Sequence, residues 1–162
     1  MHRFLRSTIA ALLALALLVL ALAPVAAGKP DRAFAPSATE LTLSGYCGFD
    51  VHVQVVANNE YMTTFYDRDG NITRTHIAGR FVVRLTNVAT GKTMRLQASG
   101  PGSFIADATG LTLEARGTWF LFFAGELFVT SGHTVLRVDA AGETIVDLRG
   151  RTRDVCQLLS SG

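Results

Sequence analysis

Between Gly79 and Gly102 apolar and polar side chains alternate with a period of two, in two runs around a short loop. Phe81, Val83 and Leu85 share one face of the first run, and Met94, Leu96 and Ala98 share one face of the second. Ala89-Thr90-Gly91-Lys92 reads as a four-residue hairpin loop, with its glycine where positive φ is needed. Cross-strand partners share a face, so this loop sets Leu85 opposite Leu96, Val83 opposite Ala98 and Arg84 opposite Gln97. The other side of the ribbon carries Arg84, Thr86, Arg95 and Gln97. Such a hairpin is stable only against further strands.

The same alternation continues on both sides. Val51, Val53 and Val55 alternate with His52 and Gln54, and Asp69-Gly70 turns a strand over Tyr61–Tyr66 back into Ile72–Ile77. Asn58-Asn59, Gly117 and Ser131-Gly132 read as breaks between strands. A hairpin around Asp139-Ala140-Ala141-Gly142 places Leu136 opposite Val146. Val155, Leu158 and Leu159 have helical spacing, which predicts a short C-terminal helix over Arg151–Leu159. About nine or ten short strands with tight turns predict an all-β antiparallel meander. Closure removes exposed edges, so the predicted form is a β-barrel, with a two-sheet β-sandwich as the alternative.

One run does not alternate: Trp119-Phe120-Leu121-Phe122-Phe123-Ala124. A strand with one wet face alternates, so this strand is covered on both faces. It is either a doubly buried core strand or a strand with one face turned to a ligand or partner. Trp119, Leu121 and Phe123 share one face and are the candidate ligand-binding residues. Phe120 and Phe122 share the other and, with Phe128, form the candidate interaction patch.

The N-terminus has a different pattern. Arg3 and Arg6 precede an uncharged apolar run from Ile9 to Ala23, followed by Pro24 and the small residues Val25-Ala26-Ala27. This is the order of a secretory signal peptide over residues 1–27, cleaved after Ala27. The run of 15 residues is shorter than the roughly 20 that span a bilayer, so no membrane span is expected in the mature chain. Residues 28–38 read as an exposed lead-in and residues 39–162 as one β domain.

Removal of Arg3 and Arg6 with the leader leaves 13 basic against 13 acidic residues. The balance, without blocks of like charge, argues against nucleic acid as a partner. Cys47 and Cys156 are the two cysteines, and in an exported chain such a pair bonds. Two free thiols or half of a metal site are the rival readings, but the sequence has no CxxC or CxxH.

Motifs for chemistry are sparse. Asp67-Arg68-Asp69-Gly70-Asn71 has its glycine in the wrong place for an EF-hand calcium loop and reads as a turn. His52, His76 and His133 fall on separate strands without local ligand spacing. G-x-S-x-G, P-loop and HExxH motifs are absent from the sequence. No metal, cofactor or catalytic residue is assigned.

The early cysteine, Leu85-Thr86-Asn87 through Thr90-Gly91-Lys92, Ser99-Gly100-Pro101-Gly102, Gly117-Thr118-Trp119 and Asp154-Val155-Cys156 together with the leader resemble a group of uncharacterised secreted proteins of actinobacteria. The resemblance covers most of the mature chain. It implies export and a β domain, and it carries no mechanism. The expected function is that of an exported, non-enzymatic β-barrel holding a small apolar ligand. The alternatives are a cell-envelope or extracellular interaction module and a barrel enzyme of isomerase or cyclase type. The oligomeric state is left open.

Overall fold

The alternating runs form nine antiparallel strands and one short helix in the computed structural model, which describes residues 28–160. The expected leader and its cleavage point after Ala27 lie outside the described residues. The strands are β1 (Asp31–Phe34), β2 (Glu40–Leu43), β3 (Val51–Tyr66), β4 (Ile72–Asn87) and β5 (Thr93–Gln97). They continue as β6 (Gly102–Asp107), β7 (Gly110–Phe123), β8 (Glu126–Asp139) and β9 (Gly142–Asp154), followed by helix α1 (Val155–Ser160).

The domain is all-β, but the expected closure is not found. All nine strands belong to one sheet with the path β1-β3-β4-β6-β7-β8-β9, with β2 added to β3 and β5 to β4. The ends of that path do not pair, so the sheet is open. It is neither a barrel nor two separate sheets. The strands are also longer than the turn signals predict. Asn58-Asn59, Gly117 and Ser131-Gly132 sit inside β3, β7 and β8 and bend them instead of ending them.

That bending organises the fold. Gly117 pairs with Gly132, and Gly132 pairs with Gly150, a row across β7, β8 and β9. A Cβ at Gly132 would lie 2.0 Å from the Arg149 carbonyl oxygen, and one at Gly150 would lie 2.2 Å from that of Ser131. Only glycine allows the backbones to approach this closely, and the hairpin creases along the row. Beyond the crease, Leu121, Phe123 and Phe128 fold back onto Leu113 and Leu136 of the same two strands. The Ala124 amide at the tip donates to Glu143 at the start of β9.

The opposite face of the tip joins the main core. Phe120, Leu127 and Val129 pack with Val53 and Leu85 of β3 and β4 and Leu96 of β5. Val155 and Leu159 of α1 are fully buried in this core. Cys47 and Cys156 are joined by a disulfide, which ties the loop after β2 to α1.

Several local expectations are corrected. In the β4–β5 hairpin Leu85 faces Met94, Val83 faces Leu96 and Arg84 faces Arg95, a slip of two residues that keeps the faces. The cause is Asn87, whose Oδ1 accepts from the Ala89 and Thr90 amides and starts the loop earlier. Asn87 also donates to the Leu159 carbonyl and so anchors α1. Leu136 faces Ile145 and not Val146, because a bulge leaves Val146 unpaired. The lead-in is exposed, but part of it forms β1 on the free edge of β3. The helix starts only at Val155, because β9 remains paired through Asp154, whose Oδ1 then caps the Gln157 amide.

The β7–β8 turn contains one strained residue. Ala124 has φ 52° and precedes Gly125 at φ 77°, the two positive values of a type I′ turn. Asparagine adopts this conformation more readily than alanine. Ala124→Asn is expected to raise stability by about 0.5–1 kcal/mol, read as a higher urea midpoint at unchanged slope.

Candidate functional site

The crease brings Trp119, Leu121 and Phe123 over Leu113 and Leu136, and a cleft of about 250 Å³ lies among them. Phe104 of β6 and Val138 of β8 also line it, and all its walls are apolar residues. The three ligand-binding residues named from the sequence therefore line one cleft. Leu121 and Phe123 are themselves buried, so the cleft rests on packed side chains.

The interaction patch does not form as expected. Phe128 pairs with Leu121 across the ladder and is only 4% exposed, on the cleft side of the strands. Phe120 packs on the main core, where it is partly buried, and with Phe122 it also borders the cleft. Phe122 alone is well exposed, at 48%, with its ring edge-on to Tyr46 at 6.2 Å between centroids. The aromatic run is thus flanked by packing on both faces: its own hairpin on one, the main core on the other.

Trp119 is seated by the loop before β6. A Cβ on Gly100 would lie 2.5 Å from the indole Nε1, and one on Gly102 would lie 2.4 Å from Cζ2. The Gly100 amide donates to the Thr118 carbonyl at 3.0 Å, and the Arg116 amide donates to that of Pro101 at 2.9 Å. Gly100-Pro101-Gly102 is the bed on which the ring lies.

A smaller hollow of about 110 Å³ adjoins the cleft at Trp119 and Phe120. Ile77, Phe81, Ala98 and Glu60 complete it. Glu60 is only 8% exposed, and its carboxyl has no hydrogen bond or ion pair among the described residues. Burial pushes that carboxyl above the ordinary carboxylate pKa. Trp119 Nε1 is buried and has no partner among the described residues. The sequence reading missed Glu60. Its faint signal is a lone acid between the Val51–Val55 alternation and the aromatic run at Tyr61.

The histidines do not converge. His52 lies 3.5 Å from Glu40, His76 bonds Ser103 at 3.1 Å, and His133 lies 3.1 Å from Asp147. Among the described residues no group of three His, Cys, Asp or Glu could hold a metal ion. Asp67 accepts the Asp69 and Asn71 amides at 2.9 and 2.8 Å, so its segment is a turn. The Asn71 side chain and these amides hold its carboxyl below the ordinary range. No helix among the described residues is long and apolar enough to cross a membrane.

No protein-family model, no curated protein and no solved structure matches the chain.

Proposed function

We propose that the protein is an exported, non-enzymatic binding protein that holds a small apolar molecule in the cleft under Trp119, Leu121 and Phe123. The observation that carries this reading is the cleft: about 250 Å³, walled by apolar residues alone, between two layers of one creased hairpin. Cavities of roughly 150 Å³ admit benzene, and drug-sized ligands occupy about 300–1,000 Å³. A guest with two fused rings or a short acyl chain is the matching size. The leader pattern of residues 1–27 and the disulfide both support export. The reading has no catalytic step.

Equilibrium dialysis with 2-ethylnaphthalene tests the proposal. The mature chain is expected to take up the probe saturably, one molecule per chain. Leu113→Phe adds bulk at a half-buried cleft wall and is expected to weaken uptake at least about tenfold while the β circular dichroism stays unchanged. Uptake that does not saturate, or that Leu113→Phe leaves untouched, rejects the cleft as the site.

A further inference from the structure

We propose that the guest of the cleft is an apolar carbonyl compound (a ketone, aldehyde or ester) whose oxygen accepts a hydrogen bond from Glu60 in its neutral form. The proposal rests on the cleft reading and adds the chemistry of the guest's head. Its basis is a polar group that the fold does not use. An acid in a residue only 8% exposed, with no partner for its carboxyl among the described residues, carries a desolvation cost that an apolar residue would avoid. Glu60 sits on the inner face of β3, opposite Gly79, in the hollow that shares Trp119 and Phe120 with the cleft. An apolar body in the cleft therefore has one polar side chain within its surroundings.

The surroundings also favour the neutral form of the acid. β4 presents Ile77 and Phe81 to Glu60, the segment after β5 presents Ala98, and β7 presents Trp119 and Phe120. None of them titrates, and burial alone moves the Glu60 pKa, upward. A neutral carboxyl is a donor. Trp119 Nε1 also has no partner among the described residues, but it lies against Gly100 and not in the hollow, which leaves Glu60 as the donor. A donor without a protein acceptor selects a guest that brings one. An amine guest would require an ionised acid in an apolar hollow, the state burial opposes.

Three probes of similar size separate the outcomes: 2-acetylnaphthalene, 2-ethylnaphthalene and 2-naphthylmethylamine, each measured by equilibrium dialysis against the full mature chain. The ketone is expected to bind about tenfold more tightly than the hydrocarbon, the size of one well-placed hydrogen bond. Glu60→Leu is expected to abolish that preference, read as the ratio of ketone to hydrocarbon affinity in the same variant. Glu60→Gln keeps an N–H donor and is expected to keep the preference. In the wild type the preference should be full at low pH and fall as pH rises through the raised Glu60 pKa. In Glu60→Gln it should not vary with pH. Equal binding of ketone and hydrocarbon, or a preference that survives Glu60→Leu, overturns the proposal and leaves the cleft reading standing. Tightest binding of the amine overturns it in favour of an ionised acid. Binding of no probe overturns both readings.

Discussion

Gly132→Ala is expected to lower stability by about 3–5 kcal/mol, although it adds a single carbon atom. Two costs combine at this position. The residue has φ 151°, a conformation that a side chain makes strained. The new Cβ would also lie 2.0 Å from the Arg149 carbonyl oxygen and 3.0 Å from Gly150 Cα. These are backbone atoms of the paired strand, and no flexible side chain can yield in their place. Relief requires the β8–β9 ladder to open at its bend. Domains are stable by only about 5–15 kcal/mol in total, so the change removes much of what there is. Urea unfolding followed at Trp119 measures it. Gly48→Ala is the control: nothing lies within 4 Å of the added atom, and its effect should stay within about ±0.5 kcal/mol.

The same substitution separates a crease from a mere bend. If the glycine row folds the hairpin over, spreading it moves Leu121 and Phe123 away from Leu113 and Leu136 and opens the cleft. Uptake of 2-ethylnaphthalene should then fall in Gly132→Ala under conditions where the chain remains folded. A midpoint within error of wild type would show that the strands do not crowd at Gly132, and the account of the crease would be withdrawn.

The residues that make the crease were visible in the sequence, but their meaning was not. Gly117 and Gly132 punctuate the alternation and so look like strand ends, because a glycine weakens a strand whether it bends or stops it. Only pairing shows that Gly117, Gly132 and Gly150 face one another. The same limit explains the missed acid. Val51, Val53 and Val55 point inward, and continuing their period sends residue 60 to the outside. A bulge at Val56 resets the period, and Glu60 turns inward with Asn58 and Met62, opposite Phe81, Gly79 and Ile77. The aromatic run was easier, since an unbroken apolar strand needs cover on both sides whatever the topology. What supplies that cover was not readable. One face of Trp119–Phe123 meets the strands it has just left, and a local pattern holds no record of a chain returning on itself.

Removal of the disulfide in a Cys47→Ala/Cys156→Ala double variant is expected to cost about 3–5 kcal/mol. The cysteines are 109 residues apart, and the chain-entropy model gives about 4.7 kcal/mol for a loop of about 100 residues. For a domain of this size the melting temperature should drop by roughly 10–20 °C. The bond also has a task in the folded state. α1 has six residues, too few to hold a helix unaided. It stays because Val155 and Leu159 are fully buried, Asn87 bonds its last turn, and Cys156 is tied to the loop after β2. Hydrogen exchange separates the two contributions. If the bond only restricts the unfolded chain, native-state exchange of the α1 amides by local opening will match wild type. If it also docks the helix, those amides will exchange faster in the double variant, and the main core under Leu127 and Val129 will loosen with them. Docking is the expected result, since six residues with two buried anchors gain little from packing alone. An unchanged melting temperature in the double variant would remove both contributions and leave the core of β3, β4 and β8 as the sole support of α1.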